Sequence, residues 1–268
     1  MRSLTINLGV NTIGREFIKR GIPVDSVDVE NNEFTRGFGS RKETPYDIVV
    51  GADFIPTVKM INESKVVVIE CPSTAITDGC RTILNHDKIY SEFMIDGKKS
   101  NSYFSSSRRY IVFSNHKSFE VNYPVMEYRE TGEILRQPYN KCTYIPHSEK
   151  QIELLRKIEQ GGNIYSLTPE EQEIYQKGSS VLRSKVRMAH RLNMNDYCPS
   201  LPRNISSRLI ECIHPTKNRM LSVEESALML GIKDFQNYHS RTRSYVVLSK
   251  CCPTQVAKIL VDTIVSGV

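Results

Sequence analysis

Arg219-Met220-Leu221-Ser222-Val223-Glu224-Glu225-Ser226-Ala227-Leu228-Met229-Leu230-Gly231 is the stretch from which the rest of the chain can be ordered. Met220 and Leu221 are a short β-type start that runs into Ser222, and Glu225 follows three positions later. That spacing predicts a capping box: the serine side chain bonds a free helix N–H while the glutamate reaches back to the cap. Ala227 to Leu230 continue the helix, and Gly231 supplies its left-handed stop. Taken alone, the segment is one amphipathic surface helix. Its neighbours decide what it belongs to.

Immediately upstream, residues 179–219 hold Arg183, Lys185, Arg187, His190, Arg191, Arg203, Arg208, Lys217 and Arg219 against only Asp196 and Glu211. Asn193, Asn195, Asn204 and Tyr197 add the polar and aromatic types that contact phosphates and base edges. A solvated basic face is the plain alternative. The expectation is a nucleic-acid surface carried by Arg183, Lys185, Arg187, Arg191, Arg203 and Arg208. The net charge of +6 is compatible with such a partner. Downstream, Pro253 to Val265 reads as an amphipathic helix with Val256, Ile259, Leu260, Thr263 and Ile264 on its apolar side.

From the other end, Leu4 to Leu8 alternates like a strand and runs into Gly9. Residues 12–20 read as a helix ended by Gly21, and Val24 to Val29 as a second strand closing on Asp28 and Glu30. Strand, glycine turn, helix and a strand ending in an acid is the layout of a nucleotide-type cofactor site, although one early glycine makes a weak signature. Residues 31–45 read as a loop. Tyr46 to Gly51, Lys65 to Glu70 and Arg109 to Ser114 are further buried-type strands, as a mostly parallel sheet with both faces covered requires. Function in such sheets collects at the carboxyl ends, which places Gly51, Glu70 and Cys71 along one rim. Helices are expected over 148–160 and from the Thr168-Pro169 cap.

Seven cysteines, scattered and without C-x-x-C or zinc spacing, point to neither a disulfide framework nor a metal site. No run approaches the ~20 apolar residues of a membrane span, and the N-terminus lacks a signal-type apolar stretch. A reducing, intracellular setting is expected, cytoplasmic or nucleoid-associated.

In order, these pieces resemble the cytosine-C5 DNA methyltransferase family over nearly the whole chain. His214-Pro215 through Ala227 looks like the family's segment after its target-recognition region. Ser244-Tyr245 through Ala257 is similar to its final motif. Asn7-Leu8-Gly9-Val10-Asn11-Thr12 stands at its glycine turn, and Val27-Asp28-Val29-Glu30 at its ribose acid. Asp47 to Gly51 matches the strand leading to its catalytic loop. Val68 to Pro72 resembles its Glu-Asn-Val strand, and Ser107 to Val112 its Arg-x-Arg strand. Each match alone is loose, and their order carries the weight.

The resemblance implies an α/β fold: a Rossmann-like S-adenosylmethionine-dependent methyltransferase core with a smaller target-recognition domain. It divides the chain into a core over 1–120, a recognition region over 121–218 and a segment over 219–268 returning to the core. It implies S-adenosylmethionine held near Gly9, Asn11, Asp28 and Glu30. It also implies a base flipped out of DNA, attacked at C6 by a cysteine thiolate, and held by a glutamate and an arginine.

Two departures bear on this. Where the family has its Pro-Cys loop, the chain reads Ala52-Asp53-Phe54-Ile55-Pro56, with no nucleophile. Its final Gly-Asn-Ala has become Ser249-Lys250-Cys251. One reading is a non-catalytic relative that binds DNA, or RNA, or serves a protein partner as a subunit. The other is an active enzyme with Cys71 as a relocated nucleophile and Glu70 and Arg109 at the base. A buried strand-end cysteine is the usual fate of such a residue.

Overall fold

The computed structural model describes residues 1–7, 11–28, 46–52, 58–71, 88–115, 118–137, 142–144, 146–176, 190–199, 201, 212–236 and 240–268. Gly9, Glu30, Arg183, Lys185, Arg187, Arg203 and Arg208 lie outside them, as does the expected loop over 31–45.

Six strands make the central sheet: β1 (Ser3–Asn7), β2 (Val24–Asp28), β3 (Ile48–Ala52), β4 (Val66–Glu70), β5 (Ile89–Ile95) and β6 (Arg108–Ser114). Their order is β2-β1-β3-β4-β6-β5. β1 to β4 pair in parallel. β6 runs antiparallel to both of its neighbours, β4 and β5, so it is the one reversed strand between parallel ones. The sequence reading expects β6 but neither its reversal nor β5. The pattern Ile89-Tyr90-Ser91-Glu92-Phe93-Met94-Ile95 mixes polar residues into an edge strand and lacks the apolar run that marks the strands buried on both faces.

Alternation sorts the strand side chains onto two faces. Val66, Val68, Tyr110 and Val112 face one cluster, with Ile13 and Phe17 of helix α1 (Thr12–Lys19) and Val256, Leu260 and Ile264 of the C-terminal helix. Val67, Ile69, Ile111 and Phe113 face the other, with Leu4, Ile6, Val49, and Ile61 of helix α2 (Val58–Glu63). Every residue of β4 is buried, as a strand covered on both sides must be.

The chain divides into two compact units. The first is 1–102, 106–127 and 251–268; the second is 103–105 and 128–250. The second holds α3 (Gly132–Leu135), α4 (Glu149–Arg156), α5 (Pro169–Gln176), α6 (Val223–Met229) and α7 (Arg241–Ser249). Its two-residue strands β7 (His190–Arg191) and β8 (Cys212–Ile213) pair in parallel. Residues 251–268 thus group with the sheet. Residues 219–250 pack within the second unit, where the Tyr245 hydroxyl of α7 donates to the Leu221 carbonyl at 2.5 Å.

The capping box at Ser222 is present in both directions, and Gly231 has φ +78°. Helix α8 (Thr254–Val265) buries Val256, Ile259, Leu260, Thr263 and Ile264 as its periodicity predicts. Leu260 is fully buried and Val125 is 88% exposed. Leu260→Ala should therefore cost about 2–5 kcal/mol in urea unfolding, whereas Val125→Ala should stay within about 0.5 kcal/mol of the parent.

Candidate functional site

The chain leaves β1 for β2 on one side and later returns to β3 on the other. The carboxyl end of β1 is thus the point where strand order reverses, where ligands bind in open α/β sheets. Register sets Asp28 beside Asn7, and Ala52 beside Glu70, along this end.

Two described residues at the end of the expected glycine turn, Asn11 and Thr12, direct their side chains into the fold. Asn11 caps α1, its Oδ1 accepting the Gly14 N–H at 2.7 Å. Its Nδ2 donates to Thr5 Oγ1 at 2.7 Å and Ser26 Oγ at 3.2 Å on the sheet face under the helix. A Cβ at Gly14 would lie 2.3 Å from Asn11 Nδ2, so this glycine seats the asparagine. Thr12 is buried and its hydroxyl donates to the Cys252 carbonyl at 2.8 Å. The Asn11 side chain thus serves the fold, and neither residue fills the space beyond β1.

At the end of β4, Glu70 is buried and accepts Arg108 Nη1 at 2.6 Å. Arg108 Nη2 donates to the Cys251 carbonyl at 2.7 Å. Burial alone lowers a guanidinium's pKa, but the Glu70 carboxylate more than offsets this and the net shift is upward. Beneath the pair, the Tyr110 hydroxyl lies 3.7 Å from Cys252 Sγ. Burial pushes the Cys252 thiol up to about 12, so it is no thiolate at neutral pH.

Arg108, not Arg109, meets Glu70. Neighbouring residues on a strand point to opposite faces, and Arg109 pairs with Glu92 at 3.4 Å, its side chain 40% exposed. The same alternation separates Cys71 from Glu70. Cys71 is 4% exposed and belongs to the cluster of Leu4, Ile6, Val67 and Ile69, on the face away from Arg108. Its Sγ lies 3.6 Å from the Ile69 carbonyl oxygen.

In the second unit, Arg191 is 4% exposed. Its guanidinium donates to the carbonyls of Ile158 (2.6 Å), His214 (2.8 Å), Lys217 (3.1 Å), Pro215 (3.4 Å) and Leu155, and to Asn218 Oδ1 (3.0 Å). No phosphate-facing donor is left on it. Arg191 ties carbonyls at the C-terminal end of α4 to the turn at 214–218, and burial lowers its pKa.

That turn is also closed from inside. His214, fully buried, accepts the Thr216 and Lys217 N–H groups at Nδ1, at 3.1 and 3.2 Å, which assigns its proton to Nε2. Nε2 lies 3.7 Å from Glu225 Oε1, beyond hydrogen bonding. Glu225 is held by Arg219 through both oxygens, at 2.7 and 2.8 Å, and by the Ser222 N–H at 2.7 Å. Burial raises the Glu225 pKa, but these partners outweigh it and the net shift is downward.

No protein-family model matches the chain, and no curated protein sequence matches it. Solved structures do. One described as a prophage-encoded DNA modification methyltransferase of E. coli aligns at TM-score 0.64 and 13% identity, over 100% of this chain and 99% of that one. The Dnmt2 methyltransferase of S. pombe aligns at 0.58 and 12%, over 99% and 98%. The Entamoeba histolytica methyltransferase EhMeth aligns at 0.57 and 11%, over 99% and 98%. The fold is that of the Rossmann-like methyltransferases.

Two outcomes test these assignments. Arg191→Ala should destabilise the protein by at least about 3 kcal/mol in denaturant unfolding, since a charged donor set serving buried carbonyls is lost; a surface phosphate ligand would cost almost nothing. Burial lowers the His214 pKa from 6.5 to about 4. The unfolded chain then binds the extra proton first, so stability is full above pH ~6.5 and lost as pH falls toward about 4, by about 3 kcal/mol. His214→Asn, whose amide oxygen can replace Nδ1 without titrating, should flatten that part of the stability–pH curve.

Proposed function

We propose that this chain is a nucleic-acid-binding protein on a methyltransferase scaffold, acting without the cysteine chemistry of cytosine-C5 transfer. The observation that carries the reading is the divergence at the end of β4. Glu70 turns toward Arg108, while Cys71, the nearest candidate nucleophile, is buried on the other face of the sheet. Thiolate attack needs the sulfur, the base and its carboxylate partner on one side of the ring's path. Residues 52–57 supply no cysteine in its place.

The retained pair still has a use in binding. A partly enclosed carboxylate–guanidinium pair offers acceptor and donor groups to a base edge, and it favours a base already taken out of the stack. Arg108 takes the role that the resemblance gives to an arginine in this strand. DNA is the partner favoured by the basic segment, with Arg183, Lys185, Arg187, Arg203 and Arg208 as its phosphate ligands. Arg191 leaves that set because its donors are spent within the fold.

S-adenosylmethionine is the cofactor this reading assigns to the carboxyl end of β1, the switch point of the sheet. Asn11 and Thr12 direct their side chains into the fold, and Asp28 at the end of β2 is the residue we assign to the ribose. When bound, the cofactor supplies an activated methyl group.

The reading predicts salt-dependent binding to duplex DNA, with log K falling linearly with log salt by about 0.9 per phosphate neutralised. Neutralising Arg183, Lys185 and Arg187 together should weaken binding across sequences and reduce that slope, measured by fluorescence anisotropy. Labelled methyl from S-adenosylmethionine should not reach DNA or RNA. Transfer that disappears in Cys71→Ser would replace this reading with the enzymatic one, and salt-independent binding would remove the nucleic-acid assignment.

A further inference from the structure

We propose that Thr12 is a positioning residue for the Glu70–Arg108 pair, acting through the Cys251–Cys252 peptide. This rests on the reading of that pair as the group that meets the base. Three hydrogen bonds form the path. The Thr12 hydroxyl donates to the Cys252 carbonyl at 2.8 Å, Arg108 Nη2 to the Cys251 carbonyl at 2.7 Å, and Arg108 Nη1 to Glu70 at 2.6 Å. Thr12 is 240 residues from Cys252 in sequence and Arg108 is 143 from Cys251, so the tie joins three distant parts of the first unit.

The two carbonyls belong to consecutive residues. The peptide between them is planar, so only φ and ψ of Cys252 separate the direction of one C=O from that of the other. Cys252 precedes Pro253, which restricts those two angles to the extended region. The segment is therefore stiff, and an oxygen held at one end fixes the oxygen at the other. The surroundings give this leverage. Thr12 is 3% exposed, Cys251 2%, Cys252 5% and Tyr110 0%, so no water is at hand to replace a lost donor. Cys252 is held laterally as well, its sulfur against the Tyr110 hydroxyl on the strand that carries Arg108.

The chain thus places the first residue of α1, beside the cofactor-type turn, in mechanical register with the base-facing guanidinium. A displacement of the α1 N-terminus moves the Cys252 carbonyl, then the Cys251 carbonyl, then the fork of Arg108. Neither cysteine needs its thiol for this. What the path uses is two backbone oxygens and the proline that follows them.

The test is NMR of the Arg108 side chain in the full-length protein. Thr12→Val removes the hydroxyl at nearly constant volume, and Thr12→Ser keeps it. In Thr12→Val the Arg108 Nη protons should exchange about fivefold faster, the effect of losing one buried hydrogen bond in the path. Thr12→Ser should match the parent. An Arg108 signal unchanged in folded Thr12→Val overturns the proposal. If Thr12→Val does not fold, Pro253→Ala decides on the same signal. It leaves all three bonds in place but frees Cys252, so faster exchange supports the path and an unchanged rate overturns it. Duplex DNA binding by the parent is measured alongside. No binding there would remove the base-facing reading of the pair, while the Arg108 response would still report on the tie itself.

Discussion

A guanidinium cannot shed its charge near neutral pH, so burying one forces the surrounding chain to supply oxygens in the right places. Among the described residues, the buried Arg191 and Arg219 and the largely enclosed Arg108 impose that condition, and much of the local architecture satisfies it. Arg108 draws together the ends of β4 and β6 and the entry to α8, because its partners are Glu70 and the Cys251 carbonyl. Arg219 donates to both carboxylate oxygens of Glu225 and so fixes the cap of α6. Arg191 has no carboxylate among its acceptors. It is met by backbone carbonyls and one asparagine oxygen, which makes the turn at 214–218 a built socket.

This explains why basic residues in the same stretch have different fates. Residues 179–219 look like one positively charged surface when read as composition. Arg191 and Arg219 are instead interior residues, 4% and 8% exposed. Charge counts in a sequence cannot separate a phosphate ligand from a carbonyl clamp, because both need the same fork of N–H donors. The distinction lies in what the chain folds around each arginine. His214, ahead of Pro215, has a structural part in the same turn, which its ring closes from within.

Other parts were legible because local chemistry dictates them. Ser222 and Glu225 at cap spacing, Gly231 beyond them, and the apolar spacing of Val256, Ile259, Leu260 and Ile264 each specify a helix from neighbouring residues alone. The buried strands β3, β4 and β6 were visible as apolar runs. What escaped was set by pairing at long range. The reversal of β6 and the existence of β5 depend on which strands meet, and α7 depends on Tyr245 finding Leu221. The choice between Arg108 and Arg109 turned on the phase of a single strand. Two adjacent arginines present the same letters, and a shift of one residue exchanges their faces.

That phase also bears on the chemistry of the site. Glu70 and Cys71 are adjacent in sequence, and adjacency invites a joint role. In a strand, adjacency guarantees the opposite: the two side chains leave the backbone on different sides of the sheet. For Cys71 to reach a base held by Glu70, the end of β4 would have to rotate by a residue. It would lose the pairing of Glu70 with Tyr110 and draw the sulfur out of the cluster around Ile69. Each of those losses opposes the rotation, since the strand is buried on both faces and its neighbours are packed against it. The scaffold thus keeps the Glu70–Arg108 pair on one face of the sheet while directing the adjacent thiol into the core on the other, so the two neighbouring residues cannot act on one group without remodelling the end of β4.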